Sequence, residues 1–376
     1  MNTPIYIPIF RLREQEKAVL TSFEFDKDIF PYVEIFKEKP RKSPVPSSKP
    51  SKKIKKEKKF HEHYLPTLNA INSEYVFVDL PVHLHRTRKM NEEVIEFLLK
   101  VVEKRDVRTA YMLSLSSCKK VIPVVSTYSQ ISGEKNSILL QEAELRQTYS
   151  TVGYRTSEMT LDQDMLQIER IARPQDFLFV DLEEFCLSNN DDFDAVTHML
   201  ERLKGFRKCN VILINSPIAH TITNVGLHHG QQIVGVDNSL MDRITDLGVD
   251  GFSDYAGVKK DLVESGGGMS PGLIFYDAIE NSFYGFRGKD RKKNEQADLD
   301  DLRGVIIRDL LTSSMVSRMK GSHLEYLGTE NKGWKTINNM WDKVEKWKSQ
   351  AKFKRIAMEH YLHCIQTKIQ DGYFVI

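Results

Sequence analysis

Eight short apolar runs, separated by stretches of helical pattern, punctuate the first 255 residues of this 376-residue chain. They lie at 6–10 (YIPIF), 29–36 (IFPYVEIF), 75–80 (YVFVDL), 121–126 (VIPVVS), 177–182 (FLFVDL), 210–215 (NVILIN), 232–237 (QIVGVD) and 250–255 (DGFSDY). Most are continuous rather than alternating, as strands covered on both faces must be. Strands that alternate with helices define an α/β protein with a parallel sheet. Eight is the number that closes a (β/α)8 TIM-barrel-like domain, and an open doubly wound parallel sheet is the alternative.

Helical patterns fill most gaps, at 14–20, 91–104, 136–149, 162–172, 192–203 and 240–247. The clearest is 91–104, where Val94, Phe97, Leu98 and Val101 recur at three-four spacing. The gap between the fourth and fifth runs holds two helices, and the second gap only a short one near 65–71. After the eighth run the pattern changes. GLIFYDAIENSFYGFRG predicts a hairpin with Glu280 and Asn281 at its turn, followed by helices at 296–311 and 335–370. The expected organisation is a barrel domain over 1–271 and an appended hairpin with C-terminal helices over 272–376.

The net charge of +2 conceals an uneven distribution. Residues 37–60 hold eleven Lys/Arg and two Glu, a local +9, so the remainder carries about −7. This insert has four prolines, four serines and no apolar periodicity, the composition of a disordered segment. It leaves the carboxyl end of the second run, which in barrels is the functional face. A lysine-rich coil attracts nucleic acid without reading its sequence, or grips an acidic protein partner. Lys52, Lys53, Lys55 and Lys56 are its phosphate-binding candidates; the bland alternative is a solvated linker. Cys118, Cys186, Cys209 and Cys364 form no C-x-x-C pair, which argues against a zinc finger and for reduced thiols. No segment has the roughly 18 apolar residues of a membrane helix, and the opening residues do not read as a secretion signal. The expected address is the cytoplasm, with no membrane partner.

Several stretches resemble the beta-protein family, named for a phage protein and also found in bacteria. Tyr6-Ile7-Pro8-Ile9, with Glu16, Ala18, Leu20, Phe30, Pro31 and Glu34, is similar to that family's opening strand-helix-strand unit. DYAGVKKD at 254–261 and IFYDAIENSFYGFRGKD with Gln296 downstream resemble its late strand and hairpin. The resemblance implies a barrel and a phage or bacterial setting, and it supplies no catalytic residues. With the insert, it points to a binding or effector component in phage–host conflict, in antiviral defence or counter-defence.

Acidic residues recur at strand carboxyl ends: Glu34, Asp79, Asp181, Asp237 and Asp254, with Asn215 in the equivalent place on the sixth run. Gathered on one rim, Glu34, Asp79, Asp181 and Asp254 are candidate catalytic residues. They would bind a divalent cation, or do acid–base work if crowding raises one pKa. That is the pattern of a metal-dependent phosphodiester or nucleotide hydrolase. The competing role is ordinary, since strand-end Asp often caps the next helix. Arg11 and Arg287 are candidate ligand- or phosphate-binding residues, or else ion-pair partners of those acids.

Weaker signals accompany these. His83 and His85 would share a strand face beside Asp79, but no third zinc ligand stands at a telling spacing. His61 and His63 fall in or beside the insert, and Glu359, His360 and His363 belong to a helix where packing explains them. Gly266 to Gly268 read as a connecting loop, and no serine or cysteine nucleophile motif is present. A third role, a scaffold assembling through the helices that carry Trp334, Trp341 and Trp347, remains open from sequence.

Overall fold

A computed structural model of the chain describes residues 3–39, 58–81, 90–126, 132–186, 189–206, 208–260, 271–288, 302–344 and 350–374. Eight parallel strands form one sheet, β1 (Ile9–Arg11), β2 (Tyr32–Glu34), β3 (Val76–Asp79), β4 (Val121–Ser126), β5 (Gly153–Ser157), β6 (Phe177–Asp181), β7 (Asn210–Ile214) and β9 (Gly251–Ser253). The ring is completed by the chain leading into β1. Ile7 N–H donates to the Phe252 carbonyl at 2.9 Å, Phe252 N–H to the Ile5 carbonyl at 2.9 Å, and Ile9 N–H to the Asp254 carbonyl at 2.7 Å. The fold is therefore the (β/α)8-like barrel expected from the alternation of strands and helices, with seven of the eight runs in its strands.

Side chains at every second position point inward, as strand geometry requires. Ile9, Tyr32, Phe77, Val124, Phe179 and Ile212 belong to one buried inner cluster. The outward set packs beneath the helices; in Glu92–Glu103, for example, Val94, Phe97, Leu98, Val101 and Val102 are buried. This two-sided burial is why the strands read as unbroken apolar runs.

Two strand assignments differ from the sequence expectation. The run at 232–237 is not a barrel strand. Only β8 (Gln231–Gln232) is extended; it pairs antiparallel with the appended hairpin, Gln232 facing Tyr284 and Gln231 facing Gly285. Its apolar residues are not buried as those of a barrel strand would be: Ile233 and Val236 are half-buried against the edge of the main cluster, Val234 is 92% exposed, and Gly235 takes a positive φ of 76°. The missing barrel strand is β5, with the sequence GYRTS. Gly153 opens it because the barrel interior is full there: a Cβ would sit 3.0 Å from Phe179 and 3.1 Å from Val124. A second helix, Arg105–Leu113, also follows Glu92–Glu103 after a break at Lys104.

The hairpin forms as expected, β10 (Gly272–Asp277) against β11 (Ser282–Arg287), with Asn281 at φ 48° in the turn. Beyond it, a π-helical turn (Leu302–Ile307) and short helices lead to Lys332–Trp341 and the last helix, Gln350–Gln370. These two helices cross closely at Gly333, where a Cβ would meet the Ile356 carbonyl at 2.4 Å. The last helix lies on the hairpin, with His360 stacked on Phe275 at 3.9 Å. It also reaches the first helix, where Lys354 Nζ sits 2.5 Å from Glu16 Oε1. Trp334 is buried within the chain's own packing, whereas Trp341 is 43% exposed. Among the described residues no helix is long and apolar enough to cross a membrane, and all four cysteines are free thiols.

Candidate functional site

Apart from Ile214 at the end of β7, the inward-facing residues at the carboxyl ends of the strands are polar, and the parallel register sets groups of them side by side. Arg11, Glu34 and Asp79 are direct neighbours across β1, β2 and β3, and Ser157 and Asp181 across β5 and β6. Into this ring projects Arg155, the central residue of β5. Its Nη1 donates to Glu34 Oε1 at 2.8 Å and to Asp79 Oδ2 at 3.0 Å, and its Nη2 donates to Asp181 Oδ2 at 2.6 Å. Arg11 Nε donates to the other Glu34 oxygen at 2.6 Å. Two phenols complete the shell: Tyr32 donates to Asp79 Oδ2 at 2.9 Å and Tyr255 to Glu34 Oε1 at 3.2 Å.

All of these groups are buried, so their pairing decides their charge state. Taking a guanidinium out of water disfavours its charge, but Tyr32, Asp181, Tyr255 and Glu34 outweigh that cost and hold Arg155 protonated beyond its ordinary range. Burial and the Glu34 charge push the Asp79 carboxyl up to about 6, against the opposing pull of Arg155 and the Tyr32 hydrogen bond. Lys260 stands at the edge of the group, its Nζ 3.9 Å from Asp181 Oδ2 and 5.7 Å from the centre of the Tyr255 ring. Three cations, Arg11, Arg155 and Lys260, thus face three carboxylates, Glu34, Asp79 and Asp181.

The structure sorts the sequence candidates. Glu34, Asp79, Asp181 and Arg11 converge as expected. Asp254 does not join them, because it falls on the opposite parity of its strand and points away from the barrel interior. There it accepts from Tyr6 at 2.7 Å, from Tyr361 at 2.5 Å and from the Ala256 N–H at 2.7 Å. Burial raises its pKa while those donors hold it down. Asn215 has the same outward parity and donates to the Phe185 carbonyl. Asp237 is not at a barrel strand end; its carboxylate accepts from the Ser239 N–H at 2.9 Å in a local turn that precedes the short helix Leu240–Arg243. Arg287 is not at the mouth; on the hairpin its Nη1 donates to the Val225 carbonyl, and it lines a separate cleft with His228 and His229. Lys52, Lys53, Lys55, Lys56, His83, His85 and Gly266 to Gly268 lie outside the described residues. His360 is a packing residue: one ring nitrogen meets Asn331 at 2.8 Å and the other the Tyr276 carbonyl at 2.9 Å.

Among the described residues no group of three His, Cys, Asp or Glu is arranged to hold a metal ion. At the mouth the reason is visible, because the Arg155 guanidinium stands where the three carboxylates converge and takes the place a cation would need. Sequence reasoning missed Arg155, Tyr32, Tyr255, Lys260 and Tyr361. A signal for Arg155 did exist: two helices in one gap of a strand-helix alternation require a strand between them.

The fold and mouth define a class, (β/α)8 barrels with an arginine-centred ion cluster at the carboxyl ends of their strands. The chain belongs to the Beta protein family, whose profile matches residues 6–366. No curated protein and no solved structure shows significant similarity to it.

Proposed function

We propose that this chain is a recognition protein, with the barrel mouth as a recognition site and the basic segment beside it as an arm for a polyanionic partner, a nucleic acid or an acidic protein surface. The observation that carries this is the position of Glu34. It ends β2 inside the arginine cluster, and the lysine-rich stretch begins three residues later at Lys37. The segment is therefore rooted at the rim of the mouth. Its composition makes it the source of phosphate-neutralising charge in this reading, whereas Arg11 and Arg155 are already committed to carboxylates. The setting we attach is phage–host conflict, and what supports it is family membership.

The test is binding of a labelled oligonucleotide over a series of salt concentrations, for the full chain and for a variant lacking residues 41–59. That deletion removes nine Lys/Arg. Each lost phosphate contact lowers the salt slope by roughly 0.9 on duplex DNA. A weaker affinity with a shallower slope supports the proposal; unchanged binding to the oligonucleotide and to polyglutamate alike reduces the segment to a linker.

One observation favours a hydrolase as the second reading. Asp79, with a carboxyl near neutrality and Oδ1 without a hydrogen-bond partner among the described residues, has the character of a general base. Loss of phosphodiesterase or nucleotidase turnover in Asp79→Asn, with binding retained, would favour it.

A further inference from the structure

Two buried oxygens on neighbouring strands of the mouth have no hydrogen-bond partner among the described residues, Asp79 Oδ1 at the end of β3 and Ser126 Oγ at the end of β4. Asp79 is fully buried and Ser126 is 4% exposed, and both have the inward parity of their strands. A buried acceptor left unmet is costly, and native structures rarely keep one without a donor that belongs there. Across the Arg155 guanidinium lies Lys260, whose Nζ comes no closer than 3.9 Å to Asp181. Its side chain retains 17% exposure, and among the described residues its ammonium makes no ion pair shorter than that. The mouth thus offers unmet acceptors on one side and an under-committed cation on the other.

We infer that the barrel mouth is a binding site for a small zwitterion, an α-amino acid or a compound with the same pairing of ammonium and carboxylate. Its N–H groups would meet Asp79 Oδ1 and Ser126 Oγ, and its anionic group would meet Lys260. The charge balance of the rim supports a net-neutral ligand. Three cations against three carboxylates leave no excess for a free anion or a free amine to neutralise, whereas a zwitterion preserves the balance. The inference rests on the mouth being a recognition site, but it is independent of what the basic segment binds.

The experiment is thermal unfolding of the full chain with each proteinogenic amino acid at millimolar concentration. Glycine betaine, which has the same charges but no N–H, and propionate, which has no ammonium, serve as the controls. A ligand that binds only the folded state raises the midpoint in a concentration-dependent way. The expected result is a saturable rise with one or a few amino acids, none with betaine or propionate, and loss of the rise in Lys260→Met. Lys260 is at the rim, so this variant remains informative if Asp79→Asn fails to fold. No rise with any amino acid, a rise matched by betaine, or a rise that survives Lys260→Met overturns the inference. If oligonucleotide binding persists alongside such a result, the proposed function stands and only the ligand assignment falls.

Discussion

The Tyr361 hydroxyl donates to Asp254 Oδ2 at 2.5 Å, joining the last helix to the residue that follows β9. Tyr6 holds the other oxygen at 2.7 Å, so a single carboxylate ties the start of the barrel, its last strand and the C-terminal helix. Tyr361→Phe removes one donor from this buried group and should cost on the order of 1–3 kcal/mol. Urea denaturation measures it. Because both phenols serve one acceptor, Tyr6→Phe and Tyr361→Phe should couple in a double-mutant cycle rather than add.

The next two residues both take a positive φ, strained for Ala256 and free for Gly257, which makes a paired prediction. Ala256 has φ 53° and Gly257 φ 69°, and a Cβ on Gly257 would lie 2.3 Å from the Tyr361 ring. Gly257→Ala should destabilise strongly, since neither its backbone nor its neighbour can yield. Ala256→Gly should be neutral or stabilising, as relief of about 1 kcal/mol of strain offsets the flexibility gained by the unfolded chain. Opposite signs at adjacent positions would be read from the two denaturation midpoints.

Arg155→Met should destabilise by about 3–5 kcal/mol at neutral pH, because Glu34, Asp79 and Asp181 would be left buried without their shared cation. The loss should shrink as pH falls and those carboxylates take up protons. Arg155→Lys should rescue little, since one ammonium lacks the planar fork that spans three acceptors. Stability curves at neutral and acid pH separate these outcomes.

Two buried carboxyls give the wild-type chain a pH dependence of definite sign. Asp79 and Asp164 are each pushed from 3.8 to about 6 by burial. Both bind protons more tightly when folded, so their contribution is full below about pH 4 and is lost as pH rises through about 6. For each, that gap corresponds to on the order of 3 kcal/mol. Asp79→Asn or Asp164→Asn should flatten the fall in stability between those limits, as equilibrium denaturation across pH would show.

His360 acts in the opposite direction over an overlapping window. Burial lowers its pKa to about 3, so the folded chain resists the proton that the unfolded chain accepts near 6.5. Stability from this residue is therefore lost as pH falls from about 6.5 towards 3. His360→Gln keeps an acceptor for Asn331 and a donor for the Tyr276 carbonyl while removing the titration. It should reduce acid sensitivity and cost about 1 kcal/mol of stacking on Phe275 at neutral pH.

Strands buried on both faces were legible in sequence because their apolar residues are contiguous, as in VIPVVS and FLFVDL. Strand β5 was not, because Gly153 yields its volume to Phe179 and Arg155 and Ser157 face a polar rim. The run at 232–237 misled for the converse reason: its valines look like core, yet Val234 is exposed. At the mouth, Glu34, Asp79, Asp181 and Arg11 were visible as strand-end charges. Asp254 and Asn215 were misplaced by one residue of parity, which reverses the face a side chain occupies. Arg155 lay on the strand that composition concealed, so the cluster was foreseen without its centre.

The clasp around Asp254 also has a consequence for how the chain comes to be folded. Tyr6 precedes Asp254 by 248 residues and Tyr361 follows it by 107, so this carboxylate keeps an incomplete set of donors until the segment that carries Tyr361 has been synthesised. Contacts between such distant points in a sequence form slowly. Nascent barrels should therefore linger with the seam beside β9 unguarded, a period in which a chaperone or a neighbouring chain has its best access.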